Sequence, residues 1–196
     1  MIDFSKIKSI YKLGRNLDLR DVQVLFSAAV KKSFDQGDYL FRQGSNSRMV
    51  YLINRGLVRT FKINERGEEI SIKVFSEHQI VANVHALMFD QESEYNYECM
   101  EAVSVICIDY DQLQQIIDKH PKLEKNRKYI LQRLLKESFK RVESFVLLNP
   151  EERYLKFIED NPGLMNRVPN KYIANMLGIT PVSLSRIRKR IAEKKR

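Results

Sequence analysis

Residues 169–191 read PNKYIANMLGITPVSLSRIRKRI, which is two short helical patterns separated by a glycine. Gly178 can adopt the left-handed conformation that ends a first helix, and Ala174 is small where two helices must approach closely. Thr180 suits the N-cap of a second helix, with Pro181 at its first position, where a missing N–H group costs nothing. This stretch therefore predicts a helix-turn-helix.

The second helix of this pattern divides into an apolar face and a basic face. Leu184, Ile187 and Ile191 recur at spacings of three and four, which predicts burial against the first helix. The outward face carries Ser183, Arg186, Lys189 and Arg190. Small side chains permit entry into a DNA major groove, arginine can bridge guanine O6 and N7, and lysine can meet flanking phosphates. An ordinary surface helix or a membrane-surface helix is the alternative, but neither explains the glycine turn and the cap.

The positive charge of the chain is concentrated at its C-terminal end. The formal net charge is +9, and residues 166–196 hold nine Lys or Arg against one acid, Glu193, which leaves 25 bases and 24 acids elsewhere. A charge excess confined to one end favours a polyanionic partner. A solvated basic tail is the simpler alternative.

Composition excludes several classes of protein. The 196 residues are 43% hydrophobic and 30% charged, enough for one substantial core or two small ones. The sequence lacks an apolar run of transmembrane length and a secretory signal, so we expect a cytoplasmic protein without membrane contact. Cys99 and Cys107 form no CxxC pair, and P-loop, GxSxG and HExxH motifs are absent. We therefore expect no enzyme, no metal site and no cofactor.

The region between Gly37 and Ile108 predicts an all-β barrel or sandwich, preceded by a short amphipathic helix at residues 19–26. Its short β-branched and aromatic segments lie at residues 39–41, 50–53, 57–61, 70–74 and 103–108. Residues 64–67, Asn-Glu-Arg-Gly, look like a hairpin tip.

After Asp109 the apolar period becomes helical. Asp111 is expected to cap a short helix that stops before Pro121. Residues 122–148 then contain no Gly or Pro, and a helix of that length would run about 40 Å. Its apolar seam consists of Leu131, Leu134, Ser138, Val142 and Phe145. The seam could pack against the chain's own domains, but we favour a parallel coiled-coil-like dimer because Lys and Arg flank a continuous apolar row.

The Asn149-Pro150 pair is predicted to end this helix and to allow another at residues 151–159. Tyr154, Leu155 and Ile158 are expected to form the inner face of that helix.

Three stretches together resemble the cyclic-AMP receptor/FNR (Crp/Fnr) family of bacterial transcription regulators. They are residues 34–44 (FDQGDYLFRQG), residues 50–58 (VYLINRGLV) and the helix-turn-helix. The resemblance implies an α+β fold with a cyclic-nucleotide-binding-like β-roll as sensor domain at 1–120, a dimerisation helix at 121–148 and a helix-turn-helix DNA-binding domain at 149–196. It also implies a homodimer that binds double-stranded DNA at an inverted repeat and contacts RNA polymerase. The alternative is a constitutive dimeric DNA-binding protein whose β-roll is a ligand-free scaffold.

The resemblance places Arg186 at a base-reading position, and Ser183 and Lys189 at phosphate-contacting positions. The full set of candidate DNA-contacting residues is Asn170, Lys171, Thr180, Val182, Ser183, Ser185, Arg186, Lys189 and Arg190. Few residues follow Ile191, so the β-hairpin wing of the family is expected to be short or absent. The basic residues at 194–196 are candidates to replace its phosphate contacts.

The sensor region departs from the members of the family that bind cyclic nucleotides. Those members hold the ribose with a Gly-Glu pair and the phosphate with an arginine, where this chain has residues 81–84 (VANV) and 94–97 (EYNY). Without that arginine, and beside Glu92 and Glu94, we predict no tight binding of cyclic AMP or cyclic GMP. Candidate pocket residues for an unidentified effector are Ala82, Asn83, Tyr95 and Asn96.

The cofactors of other members are not expected either. Residues 1–98 contain no cysteine, so an iron–sulfur cluster held by four cysteines is not predicted. His78, His85 and His120 are isolated histidines, which are more often ordinary surface or core residues than haem ligands.

Overall fold

The computed structural model describes residues 18–194. In chain order its elements are α1 (Leu19–Ser27), β1 (Val30–Phe34), β2 (Tyr39–Phe41), β3 (Met49–Arg55), β4 (Val58–Ile63), β5 (Glu69–Phe75), β6 (Ile80–Ala82), α2 (Val84–Met88), β7 (Asn96–Cys99), β8 (Val103–Asp109), α3 (Tyr110–Asp118), α4 (Pro121–Leu147), α5 (Pro150–Asp160), α6 (Asn170–Leu177) and α7 (Pro181–Lys194). Lys195 and Arg196, two residues of the predicted basic tail, lie outside the described residues.

The eight strands form two four-stranded antiparallel sheets, ordered β1-β8-β3-β6 and β2-β7-β4-β5. This is the α+β fold with an N-terminal β-roll that the sequence predicted. The hairpin tip also lies where it was predicted, because the Gly67 N–H donates to the Asn64 carbonyl (2.9 Å) between β4 and β5.

Aromatic rings fill the interior between the sheets. The ring of Phe41 packs edge-on against Tyr51 (centroids 5.3 Å apart) and Tyr97 (5.2 Å). Burial raises the pKa of both tyrosines to about 12, and it raises the pKa of the Cys99 thiol to about 12 as well. Both cysteines are buried free thiols.

Four elements were missing from the sequence prediction, namely β1, β6, α2 and β7. Strand β1 consists mainly of exposed residues and pairs along β8, with Val30 opposite Cys107. Strand β7 pairs with β4, and there Glu98 forms an ion pair with Arg59, whose side chain is 2% exposed. These strands are stabilised by partners distant in sequence, so their own apolar patterns are weak.

The cap predicted for the first helix after the β-roll was wrong. Asp109, not Asp111, caps α3: its Oδ1 accepts hydrogen bonds from the N–H groups of Asp111 (2.9 Å) and Gln112 (3.2 Å). Strand β8 ends at Asp109, so the helix begins two residues earlier than expected, and Asp111 instead forms an ion pair with Arg48 (2.9 Å).

The long helix was predicted correctly, whereas one residue of the next helix was not. Helix α4 spans 27 residues. Asn149 caps α5 in a capping box with Glu152, as expected of a helix that starts at a proline. Tyr154 is buried in α5, but Leu155 is 44% exposed because one residue turns the helix by about 100° away from the buried face.

The chain divides into two compact units. Of the described residues, one unit contains those up to Lys62 together with Val74–Leu134, and the other contains Ile63–Lys73 together with those from Leu135 onward. Among the described helices, none has the length and apolar character needed to cross a membrane.

Gly56, at the turn between β3 and β4, provides a test of how tightly the β-roll is closed. Its φ is +102°, and a Cβ atom there would lie 2.7 Å from the Ala102 carbonyl oxygen. Gly67 has a φ of +76° with open space around it. We expect Gly67→Ala to lower the free energy of unfolding by about 1–2 kcal/mol, from left-handed backbone strain alone. Gly56→Ala should lower the free energy of unfolding, measured by urea denaturation, by about 3 kcal/mol or more, because strand β8 must also move. Equal losses for the two variants would contradict this description of the turn.

Candidate nucleic-acid interface

Helices α6 and α7 are joined by a left-handed glycine turn. Gly178 has φ 67° and ψ 34°, and the Ile179 N–H donates to the Ala174 carbonyl (3.0 Å). Ile173 and Ala174 are completely buried, so Ala174 lies on the inner face of α6, as its small size predicted.

The start of α7 is held by Thr180. Its Oγ1 accepts a hydrogen bond from the Ser183 N–H (3.1 Å), and Pro181 opens the helix. Leu184 and Ile187 are buried and Ile191 is half-buried, as expected from their spacing.

The structure brings the candidate DNA-contacting residues together on α6 and α7. Asn170 and Lys171 form the exposed first turn of α6, and Thr180 lies at the exposed start of α7. Among the candidates on α7, the exposed residues are Val182, Ser185, Arg186, Lys189 and Arg190. Ser183 is less exposed than these residues, being half-buried, and its hydroxyl shares a hydrogen bond with the Thr180 hydroxyl (2.9 Å). Arg188 differs from these because its guanidinium lies over the Tyr154 ring (5.6 Å).

A cluster of side chains that the sequence did not reveal anchors the end of α6 to α4 and α5; we call it the α6 anchor (Arg141, Phe145 and Arg153). Arg141 donates to the Met176 carbonyl (3.3 Å), and Arg153 donates to the Leu177 carbonyl (3.2 Å). Cationic groups at a helix C-terminus interact favourably with its dipole and with its unpaired carbonyls.

Phe145 completes the α6 anchor. Its ring centroid lies 5.7 Å from the Arg141 guanidinium carbon and 5.1 Å from that of Arg153. A Cβ atom at Gly178 would come within 2.8 Å of Phe145 Cε1. The glycine therefore serves twice, because it adopts a left-handed conformation and leaves space for this ring.

Glu151, in the first turn of α5, binds two cations of α7. Its Oε2 accepts a hydrogen bond from Arg190 Nη1 (2.9 Å) and its Oε1 accepts one from Lys194 Nζ (2.8 Å). The pKa of the Glu151 carboxyl group is lowered, and the hydrogen bond from Lys194 is the largest cause. Sequence reasoning missed these pairs because the partners are 39 and 43 residues apart.

The predicted dimerisation residues lie along one face of α4. Leu131, Ser138, Val142 and Phe145 are exposed, and Leu134 is half-buried. The same face also exposes Leu135, Phe139 and Val146. Their spacings of three and four make a continuous apolar row, which we call the α4 apolar face.

In the β-roll, the two candidate pocket asparagines are engaged by the backbone. Asn83 is completely buried, donates to the Ser45 carbonyl (2.9 Å) and accepts from the Ala86 N–H (3.4 Å) to cap α2. Asn96 accepts a hydrogen bond from the Gln43 N–H (3.1 Å).

The other two candidate pocket residues take part in packing and pairing. Ala82 pairs with Val50 at the end of β6, and the ring of Tyr95 lies 5.5 Å from that of His85.

The segment 89–95 between α2 and β7 does not fit an anionic ligand. It carries Asp90, Glu92 and Glu94 and neither lysine nor arginine. Lys62 binds Glu94 (2.7 Å), and that hydrogen bond lowers the pKa of the carboxyl group. A cyclic-nucleotide phosphate placed against these carboxylates would have to compete with Glu94 for Lys62 and would be repelled by the other acids.

Comparisons with known proteins agree with the architecture of the two units. A model of the cyclic nucleotide-binding domain matches residues 31–120. The Fumarate and nitrate reduction regulatory protein of Vibrio cholerae is 27% identical over 172 residues, which is 80% of this chain and 66% of that protein. The chain thus spans just under two thirds of that relative.

Two solved structures share the fold. FixK2 from Bradyrhizobium japonicum superimposes with a TM-score of 0.73 at 14% identity, over 85% of this chain and 86% of that one. The Thermus thermophilus Catabolite Activator Protein gives a TM-score of 0.58 at 20% identity, over 93% and 87% of the two chains.

Cyclic nucleotides should not bind tightly to the β-roll, because segment 89–95 offers carboxylates where the phosphate needs a cation. Isothermal titration calorimetry with cyclic AMP and cyclic GMP should give no binding at micromolar concentrations. A preparation whose thermal unfolding is cooperative provides the control for a folded protein. A micromolar dissociation constant for either nucleotide would contradict this prediction.

Proposed function

Because the chain belongs to the Crp/Fnr family, we propose that it is a homodimeric transcription regulator that binds double-stranded DNA at an inverted repeat. One observation carries the proposal: α7 exposes a short polar N-terminal half followed by a basic C-terminal half, over a buried face that fixes its orientation on α6. That is the arrangement by which a recognition helix enters a major groove.

The exposed residues of α7 and α6 divide by chemistry. Val182 and Ser185 are small enough for close approach to base edges, and the Arg186 guanidinium can bind guanine O6 and N7. Ser183 and Lys189 are suited to phosphate contacts, which position the protein without reading sequence. Asn170 and Lys171 would add phosphate contacts at the N-terminus of α6, where backbone N–H groups attract anions.

The proposed dimer forms through the α4 apolar face. Large apolar side chains exposed in a continuous row mark an interaction surface, and a second copy of α4 presents the same row. Two recognition helices would then meet successive major grooves about 34 Å apart, which requires a two-fold symmetric site.

The remaining assignments are part of the same proposal. The β-roll at 1–120 would act as the sensor domain, 121–148 as the dimerisation helix and 149–196 as the DNA-binding domain. The protein would act in the cytoplasm with RNA polymerase as a partner and without catalytic activity. Its effector is unidentified.

One observation favours the alternative of a constitutive DNA-binding dimer. The roll interior is filled by its own aromatic rings, and the Asn83 and Asn96 side chains bind backbone groups. In that case no small molecule should change DNA affinity, whereas an effector-switched regulator should respond to at least one compound in a screen.

Selection of bound duplexes from a random pool tests the proposal directly. The wild-type protein should select an inverted repeat with half-site centres about 10 base pairs apart, or a multiple of that spacing. Arg186→Ala should reduce the binding free energy by about 1–3 kcal/mol and relax the base preference at one position of each half-site. Lys189→Ala should weaken binding to all sequences by similar factors. It should also reduce the salt slope, which is the slope of log affinity against log salt concentration, by about 1. Equal losses with unchanged base preference in both variants would contradict the assigned roles.

The dimer is tested by placing a charge on the α4 apolar face. Val142 is 60% exposed, so Val142→Glu should leave the fold of one chain intact while a buried, unpaired carboxylate opposes pairing. Val30, 58% exposed on β1, provides the matched control Val30→Glu. Analytical ultracentrifugation should show a dimer for wild type and Val30→Glu and a monomer for Val142→Glu, together with weaker DNA binding. A dimeric Val142→Glu variant would show that pairing uses another surface.

A further inference from the structure

We propose that Glu151 is a specificity-determining residue: it holds Arg190 and Lys194 away from DNA phosphates and so weakens sequence-independent binding. The inference rests on the proposed function, since it concerns the same recognition helix. It assigns a role in DNA discrimination to a residue outside that helix.

The geometry of the contact is specific. Each carboxylate oxygen of Glu151 binds one cation, Oε2 with Arg190 (2.9 Å) and Oε1 with Lys194 (2.8 Å). The Glu151 side chain is 19% exposed, whereas the two cations are 59% and 64% exposed. The carboxylate is therefore largely shielded from solvent, while both cations lie at the surface that a polyanion would approach.

The two cations continue the row that starts at Arg186. Residues 186, 190 and 194 are spaced by four, so they form one stripe along α7 with the base-reading position at its N-terminal end. Glu151 engages the last two members of that stripe. The carboxylate thus acts on the part of the helix suited to phosphate contacts rather than on the part suited to bases.

Electrostatics gives the direction of the effect. A duplex phosphate that binds Arg190 or Lys194 must displace Glu151 or lie close to its negative charge, and both are unfavourable. Sequence-independent binding consists of phosphate contacts. The pairing of Arg190 and Lys194 with Glu151 therefore removes a large share of its favourable interactions. Binding to the correct site also includes the Arg186 contact to bases, so it loses a smaller share. A repulsive group of this kind increases the ratio of specific to non-specific affinity.

The test compares Glu151→Gln with Glu159→Gln. Glu159 is an exposed acid in the same helix, eight residues or about 12 Å further along α5, so its substitution removes the same charge at a distance. Binding of the dimer to a random-sequence duplex and to the selected inverted repeat is measured across a salt titration.

We expect Glu151→Gln to bind the random duplex about 3- to 10-fold more tightly, with a salt slope steeper by about 1–2, because two cations become available to phosphates. The affinity for the selected repeat should rise less, so the specificity ratio falls. Glu159→Gln should behave as wild type. An unchanged thermal midpoint for Glu151→Gln would exclude a change in folding as the cause.

A second pair of variants separates release of the two cations from a general loss of negative charge. In an Arg190→Gln, Lys194→Gln background, Glu151→Gln should produce no gain. A gain of the same size in that background, or no gain in the wild-type background, would overturn the role of Glu151 while leaving a protein that still selects an inverted repeat. Wild-type protein that binds neither duplex at low salt would overturn the proposed function and this inference with it.

Discussion

Burial of the α4 apolar face is the interaction on which the proposed regulator depends. Leu135, Phe139 and Val142 follow one another at spacings of three and four along a helix about 40 Å long, and water is a poor solvent for such a row of exposed apolar side chains. A second copy of the same helix is the partner with the best matched spacing. Two-fold symmetry of the protein, and hence of its DNA site, would follow from this one contact.

Discrimination between DNA sequences would result from attraction and repulsion acting on the same helix. In the proposed complex Arg186 would supply the attractive contact with bases, while Glu151, which pairs with Arg190 and Lys194, would reduce the attraction of both for any phosphate. Arg188 is half-buried, and its guanidinium lies over the Tyr154 ring. The formal charge of the C-terminal region therefore overstates the number of cations that would be available to a duplex.

Local signals made parts of the fold predictable. Gly178, Thr180 and the Asn149-Pro150 pair each act within a few residues, so the glycine turn, the start of α7 and the end of α4 could be located from the sequence. Strands β1 and β7 could not, because their stability comes from pairing with β8 and β4. Asp109 and Asp111 are both suitable caps, and only the end of β8 decides between them. The faces of α7 followed from periodicity, whereas the α6 anchor and Glu151 depend on contacts between distant parts of the chain.

The α6 anchor also limits how the length of α4 can vary. Arg141 and Phe145 hold the end of α6, while Leu135 and Val142 belong to the α4 apolar face. Inserting one residue between Leu135 and Arg141 would rotate the preceding part of that face by about 100° relative to the anchor. An insertion of seven residues would rotate it by only about 20°. In homologous chains that keep both features, this segment should therefore change in length by nearly whole helical turns rather than by single residues.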